Sequence, residues 1–138
     1  MPMETGLPQI KVKLQAMAVL AEDMVDRSVK ALLEGDTTLA HQVCIDDDQL
    51  DRMEEEVDEL AMETLAGGPE LSDLRAITIS MKISNDLERI GDEAGTIAKS
   101  VIQLNEQPNW KAPFREEIVA MGEKACLLLR EAIQAYMD

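Results

Sequence analysis

Aromatic residues are almost missing from this chain: Trp110, Phe114 and Tyr136 are the three in 138 positions. Platforms on which bases or sugars stack need several such rings, so sites of that kind are excluded. Basic residues are scarce too, 13 against 28 acids, which leaves a formal net charge of −15. Contacts to a nucleic-acid backbone depend on Lys and Arg, and nucleic-acid binding falls away with them. Histidine occurs once, at position 41, and cysteine twice, at 44 and 126. Without a Cys-x-x-Cys there is no zinc knuckle or thioredoxin-type motif. The two thiols read as reduced, core-facing side chains. Phosphate-loop, dinucleotide-fold and nucleophile-elbow glycine patterns are all lacking. No apolar run approaches the ~18 residues of a membrane-spanning helix. The opening Met-Pro-Met-Glu lacks the charged-then-apolar layout of a secretory signal. A soluble, cytoplasmic protein is the expectation.

What the chain does have is hydrophobic content, 46%, spaced for helices, in a length suited to about one domain. Apolar residues recur at three-four spacing over about 7–34 (Ile10, Leu14, Met17, Ala21, Met24, Val25, Ser28, Leu32). Gly35-Asp36 ends that stretch, and Thr37 or Thr38 is the expected N-cap of the next. The second stretch, about 39–66, carries Val43, Leu50, Met53, Val57, Leu60 and Thr64, and stops at Gly67-Gly68-Pro69. The third begins near Ser72-Asp73 and runs to about Glu106, with Ser80, Leu87, Gly91, Ala94, Ala98 and Val101 on one face. Its small residues let a neighbouring helix come close. Ser72, Asp73 and Arg75 read as helix-start capping with a buried ion pair. Pro113 is expected in the first turn of a fourth helix whose inner side holds Ile118, Gly122, Ala125, Leu129, Ala132, Ile133 and Tyr136. Long helices with short connections predict an all-α antiparallel bundle. The expected division is a three-helix bundle over 1–106, a linker over 107–113 and a fourth helix over 114–138.

The negative charge is unevenly placed. Residues 46–63 hold ten acids and one base, Arg52, nine of the fifteen net charges. Glu-x-x-x-Asp occurs once on each of the first three helices: Glu22/Asp26, Glu54/Asp58 and Glu88/Asp92. Residues four apart share a helix face, so each pair aims two like charges at one point, which is mildly destabilising unless something offsets it. A bound cation is one candidate; a solvated helix flank is the other. On the second helix the stripe extends through Asp47, Asp51, Glu54 and Asp58, and on the third it continues from Asn85 through Glu88 and Asp92 to Gly95. Carboxylates without His or Cys suit magnesium, calcium, manganese or iron over zinc and copper. A ferritin-type di-iron centre needs Glu-x-x-His, whereas His41 follows Thr38 at that spacing and reads as an exposed helix-start residue.

The third helix is more specific still. Ser72-Asp73-Leu74-Arg75, followed by Asp86-Leu87-Glu88-Arg89-Ile90-Gly91-Asp92 and then Ile97-Ala98, closely resembles the PhoU family of phosphate-signalling regulators. The second helix, through Met53-Glu54 and Val57-Asp58, is similar to its family counterpart. The resemblance implies a bundle of PhoU type, usually two three-helix repeats in tandem, with 114–138 similar to the start of a second repeat. It implies metal clusters, often iron, on the acid pairs. By position, Glu54, Asp58, Glu88 and Asp92 match those pairs, as Glu22 and Asp26 do on the first helix. It also implies a non-enzymatic regulator of phosphate uptake and starvation signalling, with a phosphate ABC transporter and a sensor histidine kinase as partners and no membrane contact except through them. A homodimer is expected to cover the fourth helix. The alternative is a structural helical adaptor with no metal site; a carboxylate-metal enzyme stands well behind both.

Overall fold

The computed structural model describes residues 6–138 and shows four α-helices: α1 (Gly6–Glu34), α2 (Thr37–Ala66), α3 (Leu71–Leu104) and α4 (Arg115–Met137). Helices α1, α2 and α3 each pack on the other two, while α4 lies against α1. The all-α bundle is therefore as the apolar spacing implies.

Each of the first three helices buries one stripe. Ile10, Leu14, Met17, Ala21 and Met24 of α1 meet Val43, Leu50 and Val57 of α2 and Ile77, Leu87, Ala98 and Val101 of α3 in a single core. Three serines are buried there, and each finds an acceptor. Ser28 Oγ donates to the Val25 carbonyl at 2.9 Å and Ser80 Oγ to that of Ala76 at 2.7 Å, while Ser84 Oγ reaches Met17 Sδ at 3.6 Å. Buried hydroxyls are tolerated when so paired. Both cysteines are free thiols, Cys126 buried and Cys44 partly buried against the core, and His41 is exposed in the first turns of α2.

The α1–α2 corner is a two-residue turn. Gly35 adopts φ +66° and the Asp36 amide donates to the Ala31 carbonyl at 3.0 Å, the Schellman closure that glycine allows. The N-cap of α2 is Asp36, whose side chain accepts from the Leu39 amide at 3.0 Å, and not Thr37 or Thr38. Asp36 is the last residue with extended backbone, so only its carboxylate is positioned to reach back to the third amide.

Three other local expectations are corrected. Pro113 lies outside α4: Phe114 takes a left-handed conformation (φ 54°) and the helix starts at Arg115. At the head of α3 the N-cap is Glu70, without a side-chain cap bond, and Ser72 and Arg75 are exposed. No ion pair of Arg75 occurs among the described residues. The helix start faces solvent, so nothing buries the charge. Ala125 and Ala132 of α4 are also exposed, because α4 has one main neighbour and meets it through Gly122, Cys126 and Ile133.

Candidate metal centre

At two positions where α3 faces α2 it carries no side chain. A Cβ at Gly91 would overlap the Leu50 side chain, and one at Gly95 would meet Asp47 Oδ2 at 3.4 Å. These two glycines, one turn apart, let the acid stripe of α2 press against α3. The result is a cluster in which Asp47, Asp51 and Asp92 each offer a carboxylate oxygen within 4.8 Å of the others. Asp47 and Asp51 are partly buried and Asp92 is exposed, so the cluster opens to solvent on its α3 side.

Glu88 lies one turn before Asp92 and contacts both Asp92 and Asp51. Partial burial, then those contacts, push its carboxyl up to about 8. Asp47 is pushed up to about 6, by burial first and then by the charges of Asp92 and Asp51. Glu54 is raised by burial and by Asp58, Asp51 and Asp92. Burial disfavours a charged carboxylate, and neighbouring like charges add to it.

Several other acids near the helix seams have bases. Arg27 holds Asp23 at 2.8 Å and also pairs with Asp46; Lys13 pairs with Glu56; Arg130 pairs with Glu22. The cluster acids have no such partner among the described residues, and Asp47 Oδ1 and Glu54 Oε2 are buried without a hydrogen bond. Orphaned buried oxygens and several convergent negative charges are what a hard, oxygen-seeking cation satisfies. The donor set fits such an ion.

The six acids singled out by spacing divide in the folded chain. Glu54, Glu88 and Asp92 belong to the cluster, with Asp58 acting on Glu54 from the exposed next turn. Glu22 and Asp26 do not reach it. They sit at the α1–α4 seam, where Glu22 pairs with Arg130 and both raise the Cys126 thiol after burial has done so. Asp47 and Asp51 lie at the centre of the cluster although they form no Glu-x-x-x-Asp pair; their signal was the step-of-four continuation of the α2 stripe.

The model of the PhoU domain matches residues 14–101. The chain belongs to the PhoU family. A phosphate-specific transport system accessory protein PhoU homologue of Pseudomonas putida is 39% identical over 131 residues, covering 94% of this chain and 51% of the relative. The homologue of that name from Rhizobium meliloti is 45% identical over 127 residues, covering 90% and 52%. The crystal structure of PhoU from Pseudomonas aeruginosa matches with a TM-score of 0.90 at 37% identity, over 97% of this chain and 64% of that one. The chain spans about half the length of the curated relatives it matches. The PhoU match takes in the whole acid cluster, from Asp47 to Asp92. In this PhoU-family chain the carboxylates of the second and third helices are the ones gathered at a single point.

Proposed function

We propose that this chain is a non-enzymatic regulator of phosphate uptake and phosphate-starvation signalling that binds a metal cation through carboxylates of α2 and α3. Asp47, Asp51 and Asp92 hold the ion, with Glu88 and Glu54 beside them and Asp58 at the edge. The observation that carries the reading is the unpaired, partly buried acid cluster inside the PhoU-matched segment. The ion neutralises charges that otherwise oppose α2–α3 packing, so metal loading and the shape of this surface are coupled. Iron is the first candidate by family resemblance; manganese, magnesium and calcium suit the same oxygens. Glu22 and Asp26 remain candidates for a separate, weaker site on α1.

The relatives' names connect them to a phosphate-specific transport system, which supports a phosphate ABC transporter as partner. A sensor histidine kinase is the second partner proposed, on the resemblance of α3. No helix of the described residues is long and apolar enough to cross a membrane, consistent with a cytoplasmic protein that meets the membrane through its partners. A homodimer completes the reading, since α4 leaves apolar side chains exposed.

The test is metal analysis of protein purified without chelator, wild type against a Glu88→Gln/Asp92→Asn variant. Loss of metal from the variant supports the site, and equal metal in both rules it out. A wild-type melting temperature unmoved by iron, manganese or magnesium supports the adaptor reading instead.

A further inference from the structure

The segment between α3 and α4 follows a strained path. Among the described residues, two that are not glycine take the left-handed region, Asn109 (φ 63°) and Phe114 (φ 54°), and they bracket residues 110–113. Asparagine tolerates that region; a phenylalanine there is costly, because its Cβ crowds the neighbouring carbonyl. Such a conformation persists only where its surroundings hold it, and it gathers at ligand clamps and switches. Here two side chains do the holding. Asn105 donates to the Gly35 carbonyl, and Arg115 Nη1 donates to the Leu33 carbonyl at 2.6 Å. Both ends of the segment are thereby tied to the end of α1. Between the segment and α1 lies a cavity of about 480 Å³, within the range of small-ligand sites. Leu32, Leu33, half-buried Trp110 and buried Ala112 form its apolar wall. Lys111 and Arg115 bring positive charge, and Glu34 is the one acid in the lining. Acids outnumber bases 28 to 13 over the chain, so this lining reverses the general balance.

We propose that this cavity binds a small organic monoanion, a carboxylate carried on an apolar body. Lys111 and Arg115 hold the carboxylate, and Trp110 with the two leucines covers the body. Lys111 is free for this role: it is exposed and in no ion pair among the described residues. The last carbonyls of a helix repel an anion, but those of Leu33 and Gly35 already accept hydrogen bonds from Arg115 and Asn105. Two bases against one acid leave the lining a single positive charge, which suits a monoanion better than a dianion. The site is at the start of α4, about 33 Å along that helix from Met137, and shares no residue with the acid cluster of α2 and α3. A bound carboxylate draws Lys111 and Arg115 onto the end of α1, and so fastens the start of α4 to the α1–α2 corner.

Trp110 is the only tryptophan, so its fluorescence reports on this cavity directly. The experiment titrates the 138-residue chain, in chelator and at about physiological salt so that the net charges are screened, with phenylacetate, with its neutral counterpart phenylacetamide and with inorganic phosphate. Phenylacetate is expected to change the Trp110 emission saturably, and the other two to leave it unchanged at the same concentrations. Lys111→Gln weakens phenylacetate binding roughly tenfold, the loss of one charge-assisted contact, and keeps the wild-type melting curve, since Lys111 is exposed. Lys124→Gln removes the same charge from an exposed position further along α4 and binds as the wild type does. Absence of a saturable phenylacetate signal overturns the site. A response to phenylacetamide equal to that of phenylacetate, an equal response to inorganic phosphate, or a Lys111→Gln variant that binds as tightly as the wild type overturns its assignment to an organic anion. Each of these results leaves the metal reading standing, because the titration is run without metal.

Discussion

Replacing Glu88 by Gln should stabilise the metal-free protein at alkaline pH and change little in mild acid. The Glu88 carboxyl titrates at about 8 in the folded chain, against 4.5 as its ordinary value, because it is partly buried and lies against Asp92 and Asp51. Between those values the folded chain keeps a proton that the unfolded chain has released. The contribution is fully present below about 4.5 and is lost as pH rises through about 8. Converted at full strength, the interval corresponds to about 5 kcal/mol. Solvent reaches this edge of the cluster and screens the charges, so roughly 2 kcal/mol is the expected loss by about pH 9. In a domain of this size that is roughly 6 °C in melting temperature. Gln keeps the shape of the protonated acid and has no proton to lose, so the variant escapes the loss. Asp47, pushed up to about 6, adds its own decline at lower pH, common to both proteins, and the difference between them isolates Glu88. The assay is thermal melting by circular dichroism in chelator at about pH 5 and about pH 9. A variant that melts higher only at the upper pH bears the account out. An unchanged difference between the two pH values refutes it. With a divalent cation the order reverses, since a carboxylate ligand binds metal in its deprotonated form. A ligand at a hundred times its Kd adds about 2.7 kcal/mol, which the wild type gains and the variant largely forgoes.

Three further outcomes follow from the packing. Gly91→Ala forces a methyl into the Leu50 side chain and should cost about 1–3 kcal/mol as overpacking, read in a urea melt, with cation binding weakened as α3 is pushed from α2. Leu50→Ala empties a fully buried position and should cost about 2–5 kcal/mol; it relieves the crowding at position 91, so Leu50→Ala with Gly91→Ala should cost less than the sum of the two alone. Asp36→Ala removes the N-cap of α2 and should cost about 1 kcal/mol, whereas Thr37→Ala or Thr38→Ala should stay within about 0.5 kcal/mol in the same melt.

Helix existence and facing were legible because a three-four spacing of apolar residues has one economical solution: bury that stripe. Ile10 to Met24 on α1 and Leu87 to Val101 on α3 are core residues for that reason. What the spacing did not contain was the partner of each flank. Glu22/Asp26 and Glu88/Asp92 look alike along the chain, each a pair of acids beside an apolar stripe. In the fold, α4 docks on α1 and brings Arg130 to Glu22, whereas α2 docks on α3 and brings Asp47 and Asp51 to Asp92. The same local pattern therefore becomes a neutralised seam in one place and an accumulation of like charge in the other. Asp47 and Asp51 escape a search for Glu-x-x-x-Asp because they form Asp-x-x-x-Asp. The glycines are thus the informative residues for the candidate site. They carry no side-chain polar atom, but they let the acids of α2 and α3, and not those of α1, gather at one point.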